Sequence, residues 1–237
     1  MLNTQGNKIT WLGHSTFTVT GPSGSVVLID PWTETNPVCP AALKKLARVD
    51  VILLTHGHSD HLGDLLSIAK SHKPQTVCIF ETYLWLNKKG ISNLLPMGKG
   101  GTQKAGEIEV TMVNAHHSNS IMDGDKLVYG GEPAGYIARF PEGFSLYHAG
   151  DTCVFGDMKL IGELYKPDVA CLPIGDIFTM GPREAAHAIK LLGVRHVIPM
   201  HYATFPMLTG TPEALRAATS DIPGLEIHVL KPGESIS

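Results

Sequence analysis

The stretch Thr55-His56-Gly57-His58-Ser59-Asp60-His61 constrains this chain most. Three histidines and an aspartate fall within six residues, directly after the apolar run Val51-Ile52-Leu53-Leu54. That run reads as a buried strand of a parallel or mixed sheet. The polar residues then sit where a strand ends, in a loop that a rigid scaffold holds, and they can converge on one point. Imidazole suits zinc, iron, manganese or nickel, and a carboxylate hardens the site and carries charge. His56 and His58 can point to one side of the turn and Asp60 and His61 to another, so one loop can feed two neighbouring metals. The bland alternative is a histidine-rich surface turn. A lone H-x-H would favour it; H-x-H-x-D-H straight after a strand is far harder to meet by chance.

Nothing in the 237 residues looks like a linker: there is no Ser/Gly tract, no Pro-rich run and no block of like charge. One domain over residues 1–237 is expected. Hydrophobic residues make up 43% and charged residues 17%, which places the chain among ordinary globular proteins rather than disordered ones. The net charge is −3, and Lys/Arg cluster only as pairs such as Lys44-Lys45 and Lys88-Lys89. That argues against a nucleic-acid partner, which leaves a basic footprint. Cys39, Cys78, Cys153 and Cys171 are far apart and form no C-x-x-C, so they read as reduced residues of a cytoplasmic protein. The first residues do not read as a signal peptide, and no apolar run reaches membrane-span length.

Residues 9–20 and 25–29 read as a hairpin turned by Gly21-Pro22-Ser23-Gly24 and ending at Asp30-Pro31-Trp32. Asp30 either orients a histidine from behind or caps a turn. His14 either lines a pocket or is a hydrogen-bonded structural residue. The sequence leaves both open. Residues 40–49 read as a short helix, 62–71 as a helix entered from the histidine loop, 76–80 as a strand, and 81–89 as a helix closed by Gly90. Residues 98–106 read as a turn-rich crossover. A strand at 108–113 delivers Asn114-Ala115-His116-His117-Ser118, and neighbours on extended chain face opposite ways, so one of the two histidines is the expected ligand. Residues 118–135 read as the longest irregular stretch and the natural substrate-facing loop.

A second hairpin (136–140 and 145–147) ends at His148-Ala149-Gly150-Asp151-Thr152. Helices follow at 158–165, 182–192 and 212–219, the second with proline at its start and glycine at its end. Strands follow at 168–172, 196–199 and 226–230. Met200-His201-Tyr202 stands after the second of these. His187 and His196 read as structural, and His72 and His228 as surface.

The two halves echo each other. Each has a hairpin ending in aspartate, then a helix, then a strand opening Asp-Val (Asp50-Val51; Asp168-Val169). Two β-rich halves flanked by helices predict an α+β fold, a four-layer αββα sandwich of two pseudo-repeated halves. Strand ends would then bring His56, His117, Asp151 and His201 together.

Four features now stand in order: T-H-G-H-S-D-H at 55–61, A-H-H-S at 115–118, H-A-G-D-T at 148–152 and P-M-H-Y at 199–202. Together they resemble the metallo-β-lactamase superfamily over nearly the whole chain. L-G-H-S at 12–15, I-D-P at 29–31, P-I-G-D at 173–176 and P-M-H-Y-A-T-F at 199–205 look more specifically like its bacterial and archaeal metal-dependent hydrolase branch, close to ascorbate-phosphate lactonase-like proteins. The resemblance implies two divalent ions, zinc, manganese, iron or nickel. His56, His58 and the third-motif histidine would hold one, and Asp60, His61 and His201 the other, with Asp151 bridging. The branch's Ala-x-His-Ser pattern selects His117. Flavodiiron relatives carry glutamate where this chain has His58, which favours hydrolysis over redox chemistry.

The implied mechanism is attack by a metal-bridging hydroxide that Asp60 helps orient, with Asp151 as central carboxylate. Charge counting leaves the centre about +1, which favours a small anionic lactone, ester, amide or phosphodiester. His148 is either the proton donor to the leaving group or a core histidine. The expected partner is a small-molecule substrate, with no nucleic acid and no membrane; a homo-oligomer is left open. Two other readings compete: an RNA or nucleotide phosphodiesterase, which lacks its basic footprint, and a non-catalytic scaffold, which would not retain every ligand.

Overall fold

The computed structural model describes all 237 residues. The first half holds strands β1 (Lys8–Gly13), β2 (Thr16–Thr20), β3 (Val26–Ile29), β4 (Val51–Leu53), β5 (Gln75–Ile79) and β6 (Leu94–Met97). Its helices are α1 (Ser59–Leu62), α2 (Leu65–His72) and α3 (Phe80–Lys88). The second half holds β7 (Thr102–Ala105), β8 (Ile108–Asn114), β9 (Ser120–Asp123), β10 (Lys126–Tyr129), β11 (Ala134–Arg139), β12 (Ser145–His148), β13 (Val169–Pro173), β14 (His196–Met200) and β15 (Glu226–Ile227). Helices α4 (Met158–Tyr165), α5 (Pro182–Leu192) and α6 (Pro212–Ala218) lie among them, and β16 (Ser235–Ile236) returns to the first sheet. The sheets run β16-β1-β2-β3-β4-β5-β6 and β15-β14-β13-β12-β11-β8-β7.

Side-chain alternation along the strands builds the layers. Val27, Ile29, Val51, Leu53, Val77 and Ile79 join residues of the other sheet in a core of 45 buried residues. Their neighbours Leu28, Ile52, Leu54 and Cys78 point the other way, into a core of 15 with Leu65 and Ile68 of α2 and Trp85 and Leu86 of α3. Both faces of the parallel strands β3, β4 and β5 are covered, so the run at 51–54 is apolar throughout. Met158 and Ile161 of α4, Ala185, Ile189 and Leu192 of α5, and Leu215 of α6 cover the second sheet from its outer side. The result is a helix–sheet–sheet–helix sandwich.

The echo between the halves reaches single hydrogen bonds. Asp50 precedes β4, and its Oδ2 accepts from the amide of Val26, which opens β3, at 2.8 Å. Asp168 precedes β13, and its Oδ2 accepts from the amide of Ser145, which opens β12, at 2.7 Å. In each half the backbone amide of the same aspartate donates back to that strand-opening residue at 2.9 Å.

Several local expectations need correction. Residues 9–20 are two strands, broken at His14, whose φ is 55°. Only Ala41–Leu43 of the segment 40–49 is helical, as one 3₁₀ turn, and the Lys44 carbonyl is taken by the Thr33 hydroxyl rather than by a helix ladder. The helix expected at 62–71 is two helices parted at Gly63. The crossover at 98–106 contains β7, and β6 and β16 were not foreseen. The stretch 118–135 is not irregular: β9 and β10 form a hairpin in which Asp123 pairs with Lys126.

Candidate metal centre

Strands β1, β3 and β4 of one sheet and β8, β12 and β14 of the other all end at the same edge of the sandwich. Hydrogen bonds between the sheets join that edge: His201 N to His14 O at 3.0 Å, Ala134 N to Thr55 O at 3.0 Å, and Tyr136 Oη to Leu54 O at 2.8 Å. The candidate ligands of the four motifs follow the ends of β4, β8, β12 and β14, so residues up to 145 positions apart (His56 and His201) share one site.

Asp151 Oδ2 is the centre of the group. His201 Nε2 lies 3.0 Å from it, His61 Nε2 3.3 Å, His117 Nε2 3.7 Å and His56 Nε2 4.0 Å. His56 Nε2 and His58 Nδ1 stand 3.0 Å apart. Ligand atoms around one tetrahedral ion at zinc–nitrogen distances stand about 3.3 Å apart, so this spacing is that of two ligands of one metal. The side chains fall into two sets with converging donor atoms: His56, His58 and His117 on one side, and Asp60, His61, His201 with His14 on the other. Asp151 lies between them and also groups with His56 and His61.

The surroundings fix which ring nitrogens face inward. Thr55 has one hydroxyl hydrogen, and it goes to Asp30 Oδ2 at 2.8 Å. Thr55 Oγ1 must therefore accept from His56 Nδ1 at 2.9 Å, which leaves the His56 Nε2 lone pair for the centre. The same Asp30 oxygen accepts from His61 Nδ1 at 2.7 Å and leaves His61 Nε2 facing inward. Asp30 is thus the orienting group behind the ligands, and Oδ1 also holds the Thr55 amide at 2.8 Å. His14 Nε2 donates to Asp60 Oδ2 at 3.0 Å, and its Nδ1 lies 3.0 Å from the Thr204 hydroxyl. His14 is therefore a positioning group for Asp60, the choice that sequence alone left open.

The residues fit a divalent cation. His61 Nε2 and Asp151 Oδ1 are buried without a hydrogen bond. Each such atom costs about 1–3 kcal/mol, which a cation ligated there removes. Burial holds the imidazoles of His56, His58 and His117 below the ordinary value of 6.5 and that of His14 down to about 4. Neutral imidazole is the ligating form. On His61 burial acts in the same direction, but the charges of Asp151, Asp30 and Asp60 outweigh it and raise its pKa well above 6.5. The same three carboxylates put negative charge around His61 Nε2, where a metal ion would take the place of the proton. Burial pushes the Asp151 carboxyl up, yet the charges of His201 and His61 hold it well below the usual carboxylate range.

Backbone strain collects here too. His14, Asp30 and His201 are non-glycine residues at φ of 55°, 49° and 55°. Such residues cost of order 1–3 kcal/mol each and persist where surrounding structure dictates them. At Gly150, with φ 63°, a Cβ would stand 2.7 Å from the Ala134 carbonyl and 3.0 Å from Thr55 Cβ, so only glycine lets Asp151 reach the centre.

A cleft of about 350 Å³ opens onto the group, the size of a small-molecule site. His58, Asp60, His117, Asp151 and His201 form its floor, Ser118 and Ser120 contribute hydroxyls, and Met122 and Phe178 form an apolar wall. The β9–β10 hairpin supplies Met122, and the loop after β13 supplies Phe178. Ile121 and Val128 face inward onto the smaller core, while Met122 and its partner Leu127 are 60% and 71% exposed. The hairpin also holds the metal loop: Gly57 N donates to Asn119 Oδ1 at 2.8 Å, and Asn119 Nδ2 donates to Gly130 O at 2.8 Å. Sequence reasoning missed the hairpin, although Asp123-Gly124 between the apolar pairs Ile121-Met122 and Leu127-Val128 is a turn signal.

The structure brings His56, His58, Asp60, His61, His117, Asp151 and His201 together. His116 points away, exposed, and stacks on Phe155 at 4.6 Å. His148 does not reach the cleft and is corrected as a candidate proton donor. It is fully buried, its Nδ1 accepts from Gly150 N at 3.2 Å, and its Nε2 donates to Ser15 O at 2.9 Å. Both ring nitrogens are committed to backbone, so the residue clasps the Asp151 loop to the turn after β1.

A family model described as the beta-lactamase superfamily domain matches residues 26–202. With the αββα sandwich and the histidine–aspartate centre, it defines the class: a metal-dependent hydrolase of the metallo-β-lactamase fold. A protein of Koribacter versatilis is 53% identical over 236 residues, covering 100% of both chains, and one of Rubrobacter xylanophilus is 52% identical, covering 98% of this chain and 96% of its own. Both carry the name UPF0173 metal-dependent hydrolase, and this chain belongs to that family. Among solved structures, Igni18 of Ignicoccus hospitalis, described as a novel metallo hydrolase, superposes with a TM-score of 0.85 at 36% identity over 97% of each chain.

Proposed function

We propose that this chain is a binuclear metal hydrolase, acting as one domain on a small anionic lactone, ester, amide or phosphodiester. The observation that carries the reading is the convergence of two ligand sets on Asp151 at the floor of a cleft. His56, His58 and His117 would hold one ion, Asp60, His61 and His201 the other, and Asp151 both. The donor set suits zinc and manganese, with iron and nickel also accommodated. Divalent ions held there supply Lewis acidity and bring the pKa of water from 15.7 to roughly 7.

The chain's own side chains do the rest. Asp30 and Thr55 set the tautomers of His61 and His56 so that both present Nε2 lone pairs. His14 fixes Asp60, whose carboxylate oxygens can accept a hydrogen bond from water at the cleft floor and orient it. Burial pushes the Asp60 carboxyl up, but the charge of His61 and the His14 hydrogen bond outweigh it and keep the group ionised. No lysine or arginine lines the cleft, so its attraction for anions comes from the ions themselves. Ser118 and Ser120 offer hydrogen bonds to the polar end of a substrate, and Met122 and Phe178 exclude water from its apolar end. All four cysteines are free, which supports a reducing, cytoplasmic setting.

Elemental analysis of wild type beside Asp151→Ala and His201→Ala tests the reading, followed by a panel of lactone, ester, amide and phosphodiester substrates after reconstitution with zinc or manganese. Metal per chain falling in both variants by up to two relative to wild type, with loss of hydrolysis, is the expected result. A wild type that takes up no metal after reconstitution overturns it.

A further inference from the structure

A second cluster of metal-ligating side chains lies far from the cleft, at the open edge of the second sheet. His196 opens β14, and His201 of the metal centre follows the other end of the same strand. Five residues of extended chain separate them, about 16 Å at strand rise. β15 pairs parallel to β14, with His196 opposite Glu226 and Val197 opposite Ile227. His228 continues that line, its amide donating to Val197 O at 2.8 Å. Alternation puts Glu226 and His228 on one face, and register puts His196 beside Glu226.

The donor atoms of the three residues meet. His196 Nδ1 lies 3.2 Å from His228 Nε2. Glu226 Oε2 lies 3.7 Å from the first and 4.0 Å from the second. Two nitrogen ligands of one tetrahedral ion stand about 3.3 Å apart, so the imidazoles already have the required spacing. The carboxylate needs to close by only a few tenths of an ångström. It is free to do so, because the Glu226 side chain is 43% exposed. Its other oxygen, Oε1, is occupied by the Met1 ammonium at 2.7 Å, which leaves Oε2 facing the imidazoles. Neither histidine has a role in the hydrolytic centre.

We propose that His196, Glu226 and His228 form a further metal site, structural in kind, for a zinc-class divalent ion. Two imidazoles and one carboxylate make the borderline donor set that takes zinc, nickel or copper(II) rather than calcium or magnesium. Water completes the coordination on the exposed side. The site's effect follows from its place. β15 has only two residues and stands at a sheet edge, where strands are least secured. A metal joining His196 to Glu226 and His228 staples that strand to β14, and stabilises the fold by an amount that grows with the logarithm of free metal above its Kd.

Zinc is the probe. Wild type, His228→Ala and His228→Gln are stripped with chelator, reconstituted with zinc and desalted, and zinc per chain is counted. Thermal midpoints are taken with and without zinc. The glutamine variant keeps a hydrogen-bonding group at the edge and guards against a folding defect in the alanine variant. The expected result is one zinc fewer per chain in both variants and a smaller zinc-induced rise in midpoint, with hydrolytic activity unchanged. Equal zinc counts in wild type and both variants overturn the proposal. Asp151→Ala, measured alongside, reports on the cleft separately: its count falls if the cleft holds metal, and the edge comparison stands whichever way that falls.

Discussion

Asp30 Oδ2 stands 2.7 Å from His61 Nδ1 and receives the Thr55 hydroxyl as well, so one buried carboxylate sets the direction of an imidazole in each of the two converging groups. Asparagine at position 30 is nearly isosteric but has one acceptor oxygen where the aspartate has two. Asp30→Asn is expected to lower metal affinity about 10–100-fold with the fold retained. Competition with a chromophoric chelator measures it; an unchanged affinity would show that packing alone aims the histidines.

Gly57 looks like filler in the loop motif, but space beside it is absent. A Cβ there would stand 2.4 Å from Ile121 Cγ1 and 3.0 Å from Asn119 Oδ1. Overpacking of this kind costs about 1–3 kcal/mol. Gly57→Ala should lower the thermal midpoint of the metal-free protein and weaken metal retention together, because the clash lies between His56 and His58. A variant with wild-type midpoint and metal content refutes the tight packing.

His148 gives a pH signature. Burial holds its imidazole below the ordinary 6.5. The unfolded chain takes up that proton near pH 6.5 and the folded chain does not, so the stability tied to neutral His148 is complete above 6.5 and is lost as pH falls below it. The thermal midpoint should fall between about pH 7 and about pH 5, and fall less steeply in His148→Gln. The same variant should retain hydrolysis within about tenfold, whereas loss of a general acid costs about 10²–10⁴-fold. A larger loss of kcat at unchanged midpoint would return His148 to the chemistry.

Phe178 is 53% exposed and Met122 60%, yet both line the cleft. Apolar groups so placed contribute to binding before and during the reaction alike. Phe178→Ala and Met122→Ala should raise KM several-fold for substrates with an apolar group and leave kcat nearly unchanged, which steady-state kinetics reads directly. A fall in kcat with constant KM would move these residues from binding to the reacting centre.

The metal loop was legible because its chemistry is local: the apolar run places a strand, and the histidines must then stand at its end. The echo between the halves carried the αββα architecture, down to the aspartates that open β4 and β13. What sequence could not show was distance. Asp30 and His14 were ambiguous, since only the fold brings them within 3.0 Å of His61 and Asp60. The hairpin at 120–129 hid behind its polar and glycine-rich flanks, and its alternation spans only four residues a strand. His148 misled because it stands three residues before Asp151, while the strand end turns its ring inward.

The two faces of that hairpin have different freedoms. Ile121, Val128 and Asn119 are bound to the loop beneath them, and any change there is felt by the histidines. The side chains of Ser120, Met122, Leu127 and Tyr129 lie on the other face. Substitutions of the Ser120 and Met122 side chains, which line the cleft, are expected to alter what it accepts while metal retention stays constant. The support of the histidine loop and the lining of the cleft sit on opposite sides of a single two-stranded ribbon, so a lineage can revise one without disturbing the other.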